Sequence, residues 1–415
     1  MRILAVMPDF PYPPVNGGQH RFAHLLRHLA ASHEVWLVTP ASPGRSAATT
    51  LGLPPFRRVW EVPASTRARG GWPSWLRSEP SESLALATPE MARAVAEAVG
   101  AGDPDLVLAG DPALARRLEP HRDRPIVLDY LCEVVLQSER MAALADVPQS
   151  WLWKLRGAKF ARFLRRNEDL FDYCVLNSRE DRASLARFWP QDKLTVVPNG
   201  LPLDDYPAGL AAPVPGRLIY PGSITYPPNR DAVEHFARAV LPLVQQQVPA
   251  VELWVTGAVP PTPPPLPPSV RLVGHVPDVR STIASAWAAV VPLRLGAGGA
   301  RFKMLECLAL GTPVVATAIG YEGLEVLDGV DLLTAEKPEE FAAQTVRLLR
   351  STELRQRLAT RGRALMEQRY DWARLGRSYE TMLAAVVESA RLAGRATSDV
   401  AGRAMRRAVI AAAGK

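Results

Sequence analysis

Cysteine and long hydrophobic runs are both scarce in this chain of 415 residues. Its three cysteines, Cys132, Cys174 and Cys307, are widely spaced in apolar segments, which favours reduced, mostly buried thiols over disulfides or a zinc site. The longest apolar runs fall short of the ~20 residues that a membrane-spanning helix needs. We therefore expect a protein that does not cross a membrane and that carries no disulfide frame.

Export and nucleic-acid-binding signals are lacking as well. The first strand-like run, Ile3 to Met7, is far too short for the core of a signal peptide, so we expect a cytoplasmic protein. A net charge of +7 favours an anionic partner, for which a phosphate-bearing donor, anionic lipid and nucleic acid all qualify. Neither zinc-finger spacing nor a ribonucleoprotein-type aromatic strand is present, so we expect no nucleic-acid partner.

Strand-like and helical patterns alternate through the first half of the chain. Arg2 to Met7 predicts a strand, and Gly18 to Ala31 predicts a helix whose apolar residues share one face. Further strands are predicted at 34–39, 105–109, 126–129, 173–176 and 195–197. Because these strands are apolar without clean alternation, they indicate a parallel sheet covered on both faces.

A second series of the same kind follows the proline-rich stretch Pro198 to Gly216. Strands are predicted at 218–220, 251–256, 270–273, 289–292 and 314–316, and helices at 230–247 and 301–310. The chain is therefore predicted to be α/β, with two Rossmann-like domains, 1–205 and 206–370, whose crevices face each other across a cleft. Segments 41–83 and 260–268 are predicted loops, 371–392 a helix and 393–415 a basic tail.

Two glycine-rich turns are candidate phosphate-binding sites. Gly17 and Gly18 precede the first helix, where backbone N–H groups and the helix N-terminus can approach a phosphate, although a plain connection fits equally well. A second turn contains Gly298 and Gly299.

Arg301, Lys303 and Glu306 follow the second turn, in the first turns of the next predicted helix. The two cations suit a diphosphate, and the carboxylate suits ribose or sugar hydroxyls. The alternative is a set of solvated charges that pair along the helix.

Taken in order, these motifs resemble those of the large retaining glycosyltransferase family with the two-Rossmann-domain (GT-B) architecture, the group 1 or family 4-like glycosyltransferases. Members begin with a Tyr-Pro-Pro-x-x-Gly-Gly loop followed closely by an arginine, and carry Lys-x-x-Glu, Gly-x-Pro-Val-Val and Gly-x-Glu-Gly-Leu motifs in the second domain. The matching segments are 12–21, 197–200, 222–231, 274–278, 303–306, 311–317 and 320–324.

The resemblance implies two facing Rossmann-like domains, a C-terminal helix that crosses back to the first domain, and transfer from a nucleotide diphosphate-sugar without a metal or other cofactor. It places Gly17 and Gly18 beside the donor diphosphate and Glu306 on the ribose. The other donor-side residues that it implies are Ser223, Asn229, Gly298, Gly299, Glu322, Gly323 and Leu324. Many relatives carry a Lys-Gly pair for phosphate binding in the loop that spans Ser223 to Arg230 here, and this loop has no such pair. Arg301 and Lys303 are therefore expected to neutralise most of the diphosphate charge.

Two departures from the family pattern concern catalysis. Relatives often carry a glutamate where this chain has Gly298, and a histidine after the fifth strand of the first domain, where this chain has none. Asp129 and Glu133 are the polar groups available there, and either is a candidate to orient an acceptor hydroxyl or the donor sugar. The alternative for Asp129 is a helix cap. Retaining transfer in this family is commonly thought to use the donor's own phosphate as the base, so a missing histidine is tolerable.

A basic segment, 151–166, has six cations and no acid, together with an apolar stripe of Trp153, Gly157, Phe160 and Leu164. The segment is predicted to lie on an anionic membrane surface, or else the stripe is ordinary core. His20, His24 and His28 recur every four residues, but no carboxylate completes a metal site, so packing or surface roles are expected.

The sequence thus indicates a hexosyltransferase-like enzyme acting on a glycan or lipid-linked acceptor, in exopolysaccharide or cell-envelope synthesis. A non-catalytic binder of nucleotide-sugars is one alternative, because the family glutamate and histidine are missing. A nicotinamide-dependent oxidoreductase is another, although no Gly-x-Gly-x-x-Gly turn follows the first strand.

Overall fold

The structure, a computed structural model, describes residues 1–42, 44–63, 80, 83, 86, 88–131, 133–296 and 301–393. The chain divides into two compact units, Met1–Pro198 with the C-terminal residues from Trp372, and Asn199–Asp371. The boundary thus precedes the one predicted near residue 205, because Leu201 and Leu203 pack in the hydrophobic core of the second unit. Cys132 and the predicted tail beyond Ala393 lie outside the described residues.

The first unit is built on a parallel sheet. Its described strands are β1 (Arg2–Val6), β2 (Glu34–Pro40), β3 (Arg58–Val62), β4 (Leu106–Ala109), β5 (Ile126–Tyr130), β6 (Tyr173–Leu176) and β7 (Leu194–Val196). They are ordered β3-β2-β1-β4-β5-β6-β7, so the order reverses direction between β1 and β4, as in Rossmann-like folds. Every residue of the central strands except Arg2 is buried, which is the property of a parallel sheet with both faces covered.

Helices cover this sheet. The described ones before the second unit are α1 (Gly17–Ser32), α2 (Pro89–Gly102), α3 (Ala115–Leu118), α4 (Val134–Leu144), α5 (Val147–Arg166) and α6 (Arg179–Leu185). Short 3-10 turns occupy Pro112–Leu114, Glu119–His121, Glu168–Leu170 and Gln191–Lys193. The side chain of Asn16 caps α1 by accepting a hydrogen bond from the Gln19 amide, and the predicted apolar face of the helix is buried. The prediction for this helix is therefore confirmed.

Helices α4 and α5 form a hairpin joined by Ala145 and Asp146. They approach closely where a Cβ atom on Gly157 would lie 3.1 Å from the Cβ atom of Ser138. Gly157 is buried, and Phe160 and Leu164 belong to the hydrophobic core beneath the sheet. Three of the four residues of the predicted apolar stripe are therefore buried, whereas Trp153 is half-buried.

The second unit repeats the architecture with six described strands. They are β8 (Val214–Pro221), β9 (Glu252–Thr256), β10 (Val270–Gly274), β11 (Ala286–Val291), β12 (Val314–Ala316) and β13 (Leu333–Thr334). The sheet is parallel in the order β10-β9-β8-β11-β12-β13, again with a reversal at its first strand. The prediction of two Rossmann-like domains is confirmed.

The helices described in this unit are α7 (Pro227–His235), α8 (Leu241–Gln245), α9 (Val279–Ala284), α10 (Phe302–Ala309), α11 (Ala318–Tyr321), α12 (Pro338–Arg350) and α13 (Thr352–Arg369). A π-helical turn, Phe236–Val240, joins α7 to α8, and a 3-10 turn spans Leu203–Asp205. One helix was predicted over 230–247, and the structure has this helix–turn–helix series instead.

The last described helix, α14 (Trp372–Ala393), packs in the core of the first unit. Leu375, Tyr379 and Leu383 are buried there beside the apolar side chains of α1. The first unit is thus completed by the C-terminal helix.

The segment 41–83, predicted to be a loop, contains strand β3. Trp60 and Val62 on this strand are buried and pair it with β2. The prediction was wrong there because the strand is only five residues long and lies in a stretch rich in proline, serine and arginine. The proline-rich segment 260–268 has neither helix nor strand, as predicted.

The described residues contain neither a candidate membrane span nor a candidate metal site. None of the helices among them has the length and apolar content needed to cross a membrane. In the same part of the chain, no three His, Cys, Asp or Glu residues are grouped so as to hold a metal ion. His20, His24 and His28 therefore have no described ligand set around them. Cys174 and Cys307 are free, buried thiols.

Candidate functional site

The predicted donor-side residues of the second unit converge where β8 ends. The Nζ atom of Lys303, on α10, donates hydrogen bonds to the hydroxyl oxygen of Tyr220 at 2.8 Å and to Oδ1 of Asn229 at 2.7 Å. The Tyr220 hydroxyl donates to the same Asn229 oxygen at 2.8 Å, and Nδ2 of Asn229 donates to the carbonyl of Ser223 at 2.8 Å. We call Lys303, Tyr220 and Asn229 the lysine triad.

Gly222 lies against this triad, directly after β8. Its φ of +153° is a backbone conformation that residues other than glycine rarely adopt. A Cβ atom at this position would lie 2.8 Å from Nζ of Lys303. The same atom would lie 2.9 Å from Nδ2 of Asn229. The glycine therefore leaves the ammonium group room beside the backbone at the carboxyl end of the sheet, where ligands of open α/β folds bind.

Glu306 lies one helical turn after Lys303 on α10. Its Oε1 accepts a hydrogen bond from the hydroxyl of Tyr206 at 3.2 Å. The Tyr206 ring in turn lies 5.8 Å from the guanidinium carbon of Arg280, which pairs with Asp278 through two hydrogen bonds of 2.8 and 2.9 Å. The carboxylate is thus held in place by a residue of the segment that enters the second unit.

Burial shifts the pKa of both ionisable groups on α10. The pKa of Lys303 is lowered to about 7, by burial and then by the nearby charge of Arg301. The pKa of Glu306 is raised to about 7, by burial that outweighs the hydrogen bond from Tyr206 and the charge of Lys303. An ammonium group that is poorly solvated gains from an incoming anion, and perturbed groups of this kind cluster at functional sites.

Arg301 and Glu322 form a second pair of predicted residues in this neighbourhood. Nε of Arg301 donates to the carbonyl of Ile319 at 2.9 Å, and Nη2 lies 3.6 Å from the Glu322 carboxylate. Among the described residues, the buried Nη2 atom has no hydrogen-bond partner. The hydrogen bond to the Ile319 carbonyl therefore fixes the orientation of the guanidinium group, and its Nη2 atom can still donate a hydrogen bond to a ligand.

The remaining predicted residues of the second unit have simpler surroundings. The hydroxyl of Ser223 donates to the carbonyl of Ala258 at 3.0 Å, so it stabilises the turn after β8. Gly323 has a φ of +78°, and the amide of Leu324 donates to the carbonyl of Tyr321 at 3.0 Å, so both form the turn after α11. Gly298 and Gly299 lie outside the described residues.

Asp129, predicted to be catalytic, is fully buried in the first unit. Its carboxylate accepts hydrogen bonds from Nε of Arg21 at 2.8 Å, from Nη2 of Arg21 at 3.0 Å and from the hydroxyl of Tyr379 at 2.8 Å. No side-chain surface is left for an acceptor, so the catalytic assignment is replaced by a structural one. The alternative of a helix cap is also not what the structure has.

Glu133, the second predicted catalytic carboxylate, is fully buried as well. It caps α4 by accepting hydrogen bonds from the amides of Val135 at 3.2 Å and Leu136 at 2.5 Å, and from the Ser184 hydroxyl at 2.7 Å. Burial raises its pKa despite these bonds. Its oxygens are used to stabilise a helix start, and this prediction is corrected in the same way.

Helix α1 begins at Gly17, so Gly17 and Gly18, which were predicted to precede the helix, occupy its first turn. Gly17 is exposed and Gly18 is half-buried, and a Cβ atom on Gly18 would lie 3.1 Å from Cδ1 of Leu131. The exposed amides at this helix start remain suited to an anion.

Two members of the site were missed from the sequence, Tyr220 and Tyr206. Tyr220 stands two residues before Gly222 at the carboxyl end of a predicted strand, which is a position that could have marked it. Tyr206 lies in the proline-rich stretch, and no pattern there pointed to Glu306.

Together the described groups can bind an anionic diphosphate through Lys303 and Arg301 and accept hydroxyl hydrogen bonds at Glu306.

Comparison with known families matches both units. A model described as glycosyl transferases group 1 matches residues 215–351, and one described as glycosyltransferase family 4 matches residues 15–205. Comparison with curated protein sequences gives no significant match.

Solved structures of low sequence identity share the fold. A sucrose-phosphate synthase from Thermosynechococcus elongatus has a TM-score of 0.70 and 17% identity, covering 93% of this chain and 100% of that chain. HepE from Anabaena, in complex with UDP and glucose, has a TM-score of 0.64 and 14% identity, with coverages of 93% and 100%. A glycosyltransferase from Rickettsia africae has a TM-score of 0.65 and 14% identity, with coverages of 93% and 98%.

Proposed function

Because this chain belongs to the group 1 and family 4 type of glycosyltransferases with two Rossmann-like domains, we propose that it transfers a hexose-like sugar from a nucleotide diphosphate donor to a glycan or lipid-linked acceptor. The observation that carries the proposal is the lysine triad against Gly222, with Glu306 one turn further along the same helix. A diphosphate and a ribose need this combination of a cation and a carboxylate at fixed spacing.

In the proposed complex, Lys303 and Arg301 neutralise the diphosphate and Glu306 accepts hydrogen bonds from the ribose hydroxyls. Lys303 is already oriented by Tyr220 and Asn229, so little side-chain freedom is lost on binding. Arg301 supplies Nη2, a buried donor that has an ion-pair partner in Glu322 but no hydrogen-bond partner among the described residues. Loss of either cation is expected to weaken donor binding by about 1.5–3 kcal/mol, the range for a charge-assisted hydrogen bond.

Uridine diphosphate-glucose is the first donor to test, since the HepE structure of the same fold contains UDP and glucose.

We further propose transfer with retention and without a metal or other cofactor. Asp129 and Glu133 are internal, so we assign the acceptor's proton to the donor: as the bond from the sugar to the phosphate oxygen breaks, that oxygen accepts the proton of the attacking hydroxyl. The proposed pathway is exopolysaccharide or cell-envelope synthesis, at the inner face of a membrane.

Donor binding and turnover together test the proposal. Thermal stabilisation by UDP, GDP, ADP and TDP, by their sugar conjugates and by NAD and NADP identifies the nucleotide that the folded protein prefers. Lys303→Met should weaken that stabilisation, whereas Lys337→Met, at a lysine whose side chain is 76% exposed, should not. Slow release of free sugar from the preferred donor then separates an enzyme from a binding protein.

The outcomes discriminate among the alternatives. Stabilisation by one nucleotide-sugar with slow donor hydrolysis supports the transferase. Binding with neither hydrolysis nor transfer to any glycan or lipid acceptor supports the non-catalytic binder. Stabilisation by NAD or NADP alone would overturn the proposal in favour of an oxidoreductase.

A further inference from the structure

The turn of the α4–α5 hairpin carries an unusual density of exposed apolar side chains. Leu144 is 59% exposed, Val147 84%, Trp151 60% and Leu152 51%. They lie within nine consecutive residues around the two-residue connection of the hairpin. We call these four residues the hairpin apex. They are distinct from the buried stripe of α5, which packs beneath the sheet.

Cations continue the exposed face of α5 away from the apex. Val147, Trp151 and the cations Lys154, Arg162, Arg165 and Arg166 fall within about 120° of one another at 100° per residue, so they share one side of the helix. All six are exposed. This side of α5 therefore changes along its length from apolar to cationic.

Most of these cations on α5 do not form ion pairs with carboxylates of the protein. Across the described part of the chain, Lys154, Arg162 and Arg166 form no ion pair, and Arg165 lies over the ring of Phe188 at 4.7 Å. Asp146 is the sole acidic residue between 144 and 166. The row of positive charge is thus available to an anionic surface.

We propose that the hairpin apex inserts into the interface of an anionic lipid bilayer, with Lys154, Arg162 and Arg166 contacting lipid phosphates. A tryptophan at headgroup depth, small apolar anchors and a flanking cationic row are the features that bind protein surfaces to anionic membranes. The four apolar side chains of the hairpin apex are separate from one another, on either side of the two-residue connection. They are therefore suited to insert singly into a bilayer, whereas a protein interface has a flat, closely packed apolar patch. The inference deepens the proposed function, on which its biological meaning rests, by bringing the enzyme to a lipid-linked acceptor.

Co-sedimentation with vesicles tests this surface on the full chain. Wild-type protein should bind vesicles of phosphatidylcholine with 30% phosphatidylglycerol at low salt and should not bind pure phosphatidylcholine, at compositions of roughly this anionic content. The double variant V147E/W151E should lose binding on the order of tenfold or more, because two anchors become anions. The matched control is Leu327→Glu, a change at a residue 63% exposed in the second unit, and it should bind as wild type does.

The cationic row is tested separately. K154Q/R162Q/R166Q should weaken vesicle binding about 100-fold, or about fivefold for each charge near an anionic surface. R347Q/R357Q, which removes exposed arginines of the second unit, should have little effect. A melting temperature of the ligand-free hairpin variants equal to that of wild type would show that they are folded. This control does not depend on UDP-glucose binding, so failure of this inference stays separate from failure of the proposed function.

Two results would overturn the inference. Vesicle binding of V147E/W151E equal to that of wild type would assign membrane contact to another basic part of the chain. A concentration-dependent dimer in light scattering that V147E/W151E abolishes would assign the apex to self-association instead.

Discussion

Arg21 and Asp129 form an ion pair whose two side chains are both 0% exposed. Two parallel hydrogen bonds, of 2.8 and 3.0 Å, join them, and Nη1 of Arg21 donates to the carbonyl of Val197 at 2.9 Å. The Tyr379 hydroxyl of α14 completes the carboxylate's bonds. The pair thus ties α1 and β5 to the last helix, and its function is to hold the first unit together.

Replacing Asp129 with alanine is expected to lower the free energy of unfolding by about 3–5 kcal/mol, because it leaves Arg21 charged and buried without its partner. Urea unfolding measures the change. Asp103→Ala, at a carboxylate whose side chain is 74% exposed in its pair with Arg2, is the control and should cost less than about 1 kcal/mol. If Asp129→Ala kept full stability but lost turnover, the catalytic reading would return.

The strand and helix patterns predicted most of the fold because each depends on near neighbours in the chain. The buried face of α1 is one example, since Phe22, Leu25 and Leu29 repeat at the helical period. The role of Asp129 could not be predicted from near neighbours in this way. It was recognised as polar at the end of a strand, but its partner is 108 positions away, and no local pattern distinguishes an internal ion pair from a catalytic acid.

The donor-side residues also include some that the sequence predicted and some that it did not. Lys303 and Glu306 were found from a local motif, whereas Tyr220 and Tyr206 become neighbours of that motif only through the packing of β8 and the segment before it. The exposed hairpin apex was also missed. Sequence periodicity identified the apolar stripe of α5, but it could not determine which side of the helix the sheet covers.

Gly376 of α14 packs against His28 of α1 so closely that a Cβ atom on the glycine would lie 2.5 Å from Cγ of the imidazole. Gly376→Ala is therefore expected to destabilise the protein by about 1–3 kcal/mol through overpacking. Gly100→Ala in α2, where a Cβ atom meets nothing within 4 Å, should instead stabilise by about 0.5–1 kcal/mol. Thermal and urea unfolding of both variants measure the difference.

The double variant Gly376→Ala with His28→Ala locates the cause of that loss. If the imidazole is the group in the way, its removal should make the alanine at 376 less costly than it is in wild type, and the two changes should not be additive. Additive losses would place the strain elsewhere on α14.

His24 is expected to make folding sensitive to acid. Its ring lies 6.2 Å from the ring of Trp372, and burial, followed by the charges of His20 and Arg27, lowers its pKa to about 3. The unfolded chain takes up this proton near pH 6.5, whereas the folded chain does not. Stability should therefore fall as the pH drops from 6.5 towards 3.

The variant His24→Gln isolates this effect. Compared with wild type, it should lose less stability on acidification, by up to about 1.4 kcal/mol for each pH unit below 6.5. Urea unfolding at several pH values between 7 and 4 provides the comparison. Parallel curves for the two proteins would mean that His24 is protonated while folded.

The two shifted groups of α10 lead to a prediction about donor affinity. Binding of a diphosphate requires the ammonium form of Lys303, which declines as the pH rises through its pKa of about 7. Binding of ribose hydroxyls requires the carboxylate form of Glu306, which declines as the pH falls through its pKa of about 7. Affinity for UDP-glucose should therefore peak near pH 7 and fall on both sides, approaching tenfold per pH unit.

Each limb of this profile should depend on one residue. Lys303→Arg keeps the positive charge at every accessible pH, so it should remove the decline above pH 7, even where its different shape weakens binding overall. Glu306→Gln cannot ionise and should remove the decline below pH 7. Calorimetric titration with UDP-glucose, rather than UDP, avoids a terminal phosphate that itself titrates near pH 6. If both limbs survived in both variants, the titrating groups would lie elsewhere, and Lys303 and Glu306 would have to be removed from the donor site.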